Sequence, residues 1–229
     1  LLDSAGRIPQ IIKESESIDF KAIGEELKTQ GHQIEYSHYD ELNNNLFSLT
    51  GRVIICASSQ TLRYKKYIED TCLSLKSDNH LVPRYELMIA HENKIYQSFM
   101  MKKKEIQAPQ SWCISSSNSF EDLKSIVDYP VVIKQNTGYA SRSVYKCNQH
   151  DDLEKYFRGI VRAERSASET LIETYRKFKY RGKYPKFIGK ALVQQFLPNE
   201  GYDYKVLVFW DILFVLKRFS KKNDWRSSG

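Results

Sequence analysis

The sequence predicts an α/β fold, with α+β character towards its C-terminal end. Three observations predict it. Helical and strand patterns alternate along the chain from the start. Two short runs, Arg52-Val-Ile-Ile-Cys-Ala57 and Val131-Val-Ile-Lys134, have the unbroken hydrophobicity of strands covered on both faces. Three further strand patterns crowd together at 191–196, 204–210 and 212–217, the last two joined by a tight turn near Asp211.

Taken in order, Ile18, Ile23 and Leu27 share one helical face with Phe20 beside them, and Gly31 is a natural stop. The apolar run at 52–57 reads as a strand and 61–75 as a helix carrying Leu62, Ile68, Cys72 and Leu75. This order predicts a small, doubly wound, Rossmann-like domain over residues 1–85. A helix is expected over 83–104, ended by Ala108-Pro109. A strand at 111–114, a helix at 118–127 capped by Asn118 or Ser119, and the strand at 131–134 follow. The chain then returns in a strand at 144–146, and Asp151 is expected to cap the next helix. Between 158 and 190, helical stretches joined by Arg181-Gly182-Lys183 are expected. The second part of the chain divides into 86–190 and 191–229.

Composition narrows the function classes. The 229 residues hold 35 Lys+Arg and 28 Asp+Glu, a net charge of +7. Between Lys155 and Lys190 stand eleven basic residues and three acids, net +8, leaving the remainder at −1. The basicity is one local segment, not a general coating for nucleic acid. No apolar run reaches the roughly 20 residues needed to span a bilayer, so no membrane partner is expected. Cys56, Cys72, Cys113 and Cys147 form no CxxC pair and read as buried structural thiols in a cytoplasmic protein. The N-terminus, Leu1-Leu2-Asp3, has neither an initiator Met nor a basic, apolar leader, and a few preceding residues are expected.

Three constellations carry candidate chemistry. In the first, a strand delivers Lys134 at its polar end, and Gln-Asn-Thr-Gly-Tyr-Ala-Ser-Arg-Ser143 returns to a second strand. Such a hairpin of small residues lays backbone N–H groups over phosphates; it also reads as a plain hairpin with a solvated lysine. The second is Val193-Gln-Gln-Phe-Leu-Pro-Asn-Glu-Gly-Tyr-Asp-Tyr-Lys-Val206, with Asp203 and Lys205 on one strand face. Its plainer reading is a cross-strand ion pair. The third, Leu216-Lys-Arg-Phe-Ser-Lys-Lys-Asn-Asp-Trp-Arg226, offers arginines to an anion or simply forms a solvated turn.

Together and in this order, over about residues 85–229, they resemble the ATP-grasp superfamily, particularly the carboxylate–amine ligases related to the ribosomal-protein glutamate ligase and the glutathione synthetases. The resemblance implies a pre-ATP-grasp domain followed by an ATP-grasp domain truncated at its C-terminus. Lys94, in an Asn-Lys-Ile before the helix that leads to Ile106-Gln-Ala-Pro109, and Lys134 would hold ATP phosphates. The glycine-rich flap corresponds to Gly138 through Val144. Gln195 and Leu197 would meet the adenine, largely through backbone groups, and Asp203 would lie near the ribose or the hinge. Arg218 and Arg226 would face phosphate or an acyl-phosphate. The chain departs from the family at Ser141 and Ser143, where glycine is usual, at Gln195 in place of a glutamate, and at Lys205 in place of an arginine. The Mg²⁺ carboxylates and final Asn are expected beyond Gly229.

By this resemblance the reaction joins a carboxylate to an amine, the substrates being small molecules or peptides, with homo-oligomerisation a further expectation. The basic segment, including Arg162, Arg165, Arg176 and Arg181, is expected to collar the site and draw in an anionic substrate; a solvated insertion is the plainer alternative. Two rival classes stay open. One is a non-catalytic ATP-binding module. The other, ranked below it, is a single-stranded nucleic-acid-binding protein using Tyr175, Phe178 and Tyr180.

Overall fold

A computed structural model describes residues 1, 19–44, 48–59, 62–123, 125–137, 143–181, 183–185, 188–222 and 224–226. The chain forms two compact units, Leu1–His91 and Glu92–Gly229. Among the described residues no helix is long and apolar enough to cross a membrane.

In the first unit, helix α1 (Phe20–Thr29) starts at Asp19, whose carboxylate accepts from the Ala22 N–H at 2.9 Å, and ends before Gly31, at φ +88°. A β-carbon would be strained at that angle, which is why glycine stands past the helix end. Strands β1 (Val53–Ile55) and β2 (His80–Val82) pair in parallel. A parallel pair needs a crossover, and helix α2 (Leu62–Leu75) supplies it. Ile54, Ile68, Cys72, Leu75 and Leu81 share the core with Tyr39, whose hydroxyl donates to the Ala57 carbonyl at 2.7 Å. Helix α3 (Tyr85–Ala90) completes the unit.

The expected helix over 83–104 is two helices. Glu92 takes φ +55°, and the Asn93 side chain accepts from the Tyr96 N–H at 3.1 Å, capping α4 (Lys94–Lys103) afresh. Apolar spacing is helical on both sides of the break, so periodicity hides it; the cap asparagine reveals it. Lys94 therefore opens the helix instead of preceding it.

The second unit is built on an antiparallel sheet of β3 (Ser111–Ser116), β4 (Val131–Gln135), β5 (Val144–Cys147) and β6 (Ile188–Gln195), in the order β3-β6-β4-β5. Helices α5 (Ser117–Leu123) and α6 (His150–Ala163) cover one face. Leu153, Phe157, Ile160 and Val161 form a single helical stripe against Ile114, Val131, Ile133, Cys147, Ala191 and Val193. Val132 and Leu192, which point to the other face, are also buried. Covering on both sides explains the unbroken run Val-Val-Ile.

Three boundaries differ from expectation. Helix α5 begins at Ser117, and Ser116, not Asn118 or Ser119, accepts from the N3 amide of Ser119. Helix α6 begins at His150, so Asp151 lies within its first turn, where it complements the helix dipole and is not the cap. The joint in the basic segment is 164–166, because Ser166 and Glu169 form a capping box that starts α7 (Ala167–Lys179). Among the cysteines, Cys56, Cys72 and Cys147 are buried and Cys113 is half-buried. Strands β7 (Tyr202–Phe209) and β8 (Ile212–Phe219) make a separate two-stranded hairpin.

Strand β6 approaches α6 closely at Gly189, where a β-carbon would meet Val161 Cγ2 at 2.2 Å. Gly189→Ala is expected to overpack this contact and cost about 1–3 kcal/mol. In urea unfolding, Gly189→Ala combined with Val161→Ala should lose less than the two single changes added together.

Candidate functional site

Strand parity builds the site. Val131 and Ile133 enter the core with α5 and α6, so Lys134 projects to the opposite face. The same rule on β6 puts Ala191 and Val193 inward and Gln194 beside Lys134. Lys134 Nζ donates to Gln194 Oε1 at 2.6 Å, and Gln194 Nε2 donates to Ser111 Oγ at 3.1 Å. Ser111 Oγ in turn donates to the Pro109 carbonyl at 2.8 Å. A chain of neutral groups across three strands thus fixes the amine.

Helix α4 runs over this face and is tied at both ends. Lys102 Nζ donates to the Ser111 carbonyl at 2.7 Å. At the other end, the Lys94 N–H donates to the Asn136 carbonyl at 3.1 Å and the Ile95 N–H to Asn136 Oδ1 at 3.0 Å. Asn136, buried just past β4, thereby satisfies two of the free amides that open the helix. This places Lys94 in the electrostatic neighbourhood of Lys134.

Burial, and then the neighbouring Lys94 charge, push the Lys134 ammonium below the usual lysine range. Burial also lowers Lys94, with Glu92 acting in the opposite direction. Among the described residues Lys134 has no ion-pair partner; its hydrogen-bond acceptor is a neutral amide. Lys134 is thus a partly desolvated cation whose charge a bound anion would offset.

The flap residues Gly138 and Ser141 lie outside the described residues. Ser143 closes the loop at φ +55°, its carbonyl accepting from the Gln135 N–H at 3.1 Å. That is a left-handed backbone for which glycine carries no penalty. Gln195 ends β6 with its N–H donating to the Gln110 carbonyl at 2.8 Å, and Leu197 lies in the loop beyond, its side chain exposed.

Asp203 is engaged by Arg218 and not by Lys94 or Lys134 among the described hydrogen bonds. Asp203 and Arg218 face each other across β7 and β8, with Nε–Oδ1 at 2.8 Å and Nη2–Oδ2 at 2.6 Å. The plainer reading of this segment, a cross-strand ion pair, is what forms, between Asp203 and Arg218. Arg226 forks on Asp224, Nε–Oδ1 at 2.9 Å and Nη2–Oδ2 at 2.8 Å, lowering that carboxyl to about 2. Beside it, Trp225 meets Phe196 edge-to-face at 5.6 Å and Lys146 Nζ lies 3.9 Å from the Phe196 ring centre. The C-terminal segment therefore returns to the end of β6. Among the described residues, no group of three or more His, Cys, Asp or Glu is arranged to hold a metal ion.

Sequence reading missed Asn136, Gln194 and Ser111. Parity would have put Gln194 beside Lys134 had the strand pairing been known. Asn136→Ala should cost about 0.5–2 kcal/mol in chemical unfolding, the range of a lost helix cap. Asn136→Asp, which keeps the acceptor, should restore most of that loss.

No protein-family model matches the sequence, and no curated protein matches it. Solved structures do. A RimK-domain ATP-grasp protein from Sphaerobacter thermophilus is 14% identical over 85% of this chain and 64% of its own, with a TM-score of 0.44. An N5-carboxyaminoimidazole ribonucleotide synthetase, solved as its ADP complex, is 14% identical over 82% and 43%, with a TM-score of 0.51. A D-alanine–D-alanine ligase from Helicobacter pylori is 12% identical over 71% and 45%, with a TM-score of 0.41. The chain thus spans less than two thirds of each of these structures. The chain shares its fold with the N5-carboxyaminoimidazole ribonucleotide synthetase over 82% of its own length.

Proposed function

We propose that this chain is the nucleotide-binding part of an ATP-dependent ligase that joins a carboxylate to an amine. The observation that carries the reading is Lys134 at the polar end of β4, two residues from the Asn136 carbonyl that anchors the Lys94 amide at the start of α4, at the base of the flap sequence. Support comes from the fold shared with a synthetase that binds ADP. Small-molecule or peptide substrates, a homo-oligomeric state and a cytoplasmic setting belong to the same reading; the free thiols of the four cysteines suit that compartment.

In the proposed reaction the substrate carboxylate attacks the γ-phosphorus of ATP and ADP leaves. The resulting acyl-phosphate is attacked by the amine, and inorganic phosphate leaves as the amide forms. No protein nucleophile is needed; charge neutralisation and positioning do the work. Lys134 and Lys94 neutralise the polyphosphate, Gln194 fixes where Lys134 points, and Asn136 fixes the start of α4. Gln195 and Leu197 are the proposed adenine edge, Gly138, Ser141 and Ser143 the cover, and Asp203 the ribose-side group. Arg218 and Arg226 are proposed for the phosphate side, and each would have to share a guanidinium already forked on an aspartate. Magnesium is the family's usual companion of ATP, but the described residues hold no ligand cluster that fits it.

Calorimetric titration with ATP tests the reading. Lys134→Ala should weaken binding by about 10- to 100-fold, the loss of a hydrogen bond to a charged group; equal affinity would refute the assignment. The pH dependence has a definite sign. Both lysines sit below their ordinary 10.5 in the free protein, and a polyanion favours their charged forms. Binding should therefore take up protons, and affinity should fall as pH rises through the lowered values. Lys134→Arg, which stays charged, should make that alkaline fall shallower.

A further inference from the structure

Helix α7 has its polar side anchored and its apolar side in solvent. Glu173, largely covered, pairs with Arg165 at 2.8 Å, and Arg165 also donates to the Ile188 carbonyl at 2.7 Å, at the start of β6. Arg165 is thus committed to holding the helix. With 3.6 residues per turn, Leu171, Tyr175 and Phe178 fall on the side opposite Glu173, with Ile172 at their edge. They are 73%, 61%, 68% and 49% exposed in that order, and no residue of α7 is buried.

Cations rim this stripe. The Lys179 amine lies 5.8 Å from the Tyr175 ring centre and 5.5 Å from that of Tyr180, and the Arg181 guanidinium 4.9 Å from that of Phe178. Lys177, in the same last turn, instead pairs with Glu173 on the anchored side at 3.9 Å. The surrounding segment, 155–190, carries eleven basic residues against three acids.

We infer that α7 is a membrane-surface contact that lays Leu171, Tyr175 and Phe178 into the interface of an anionic lipid bilayer, its rim of cations meeting headgroup phosphates. A convex, apolar ridge flanked by Lys and Arg is the form of a helix that lies in a bilayer interface. Among the described residues no helix is long and apolar enough to cross a membrane; lying on the surface needs only one helix face. Charge selects among occupants. A second copy would bring two positive rims together. Single-stranded nucleic acid binds by stacking on rings, and Leu171 and Ile172 provide none. This inference goes beyond the nucleotide site and uses none of its residues.

Vesicle co-sedimentation tests it, with phosphatidylcholine alone against phosphatidylcholine mixed with phosphatidylserine. The anionic vesicles should bind at least about tenfold more protein, with the difference shrinking as salt rises. Leu171→Gln with Phe178→Gln removes the stripe and keeps the charge; Lys179→Glu with Arg181→Glu does the reverse. All four positions are on the exposed helix or just past it, and unchanged circular dichroism and melting would verify folding. Both double variants should lose the anionic-vesicle binding. Equal binding to the two vesicle types, binding to neither, or binding that the stripe variant retains would each overturn the inference. So would a single-stranded oligothymidylate complex, or a dimer, that forms without vesicle binding and that the stripe variant abolishes.

Discussion

The contact between Lys134 and Gln194 is the one on which the candidate site depends. An amine on a four-carbon stem would otherwise sample many directions at a considerable entropic cost to any complex that needs it. Here a neutral acceptor on the neighbouring strand holds it at 2.6 Å, and that acceptor is held from β3 in turn. Neutrality matters as much as distance. A carboxylate in the same place would have quenched the charge, whereas an amide orients the lysine and leaves its charge available to an anion.

The sheet itself makes this possible. Because β4 is buried on both faces, its pairing register is closely specified, and a slip of one residue would exchange Lys134 with Ile133. The core under α6 and the cover provided by α4 therefore also fix the Lys134 side chain. Helix α4 returns the favour at its start, where Asn136 joins the end of β4 to the residue beside Lys94. Several basic groups elsewhere are employed in structure. Arg165 braces α7, Arg218 crosses the hairpin, and Arg226 closes on Asp224. Net charge thus overstates what is available to a ligand. Lys134, by contrast, is held by a neutral amide.

Much of the architecture was legible. The run at 131–134 reads as a two-sided strand, the apolar stripe of α6 as a helix, and Gly31 as a helix end, because burial and backbone sterics act on a few neighbouring residues. The misreadings share a cause. The break at Glu92, the start of α5 at Ser117 and the capping box at Ser166 are set by single side-chain acceptors, which hydrophobic periodicity does not register. The capping box, Ser-Ala-Ser-Glu169, was visible in the sequence all the same.

By itself the sequence determined the fold class, the lysine at the end of the β4 strand and the local concentration of charge, since each follows from residue type and short-range spacing. Only the tertiary structure decided that Gln194 and Asn136 hold the two lysine segments, that Asp203 belongs to Arg218, and that the apolar side of α7 faces outwards. These depend on strand register and on which helix face finds a cover. Such contacts join residues up to 83 positions apart, as between Ser111 and Gln194, and no local pattern encodes them.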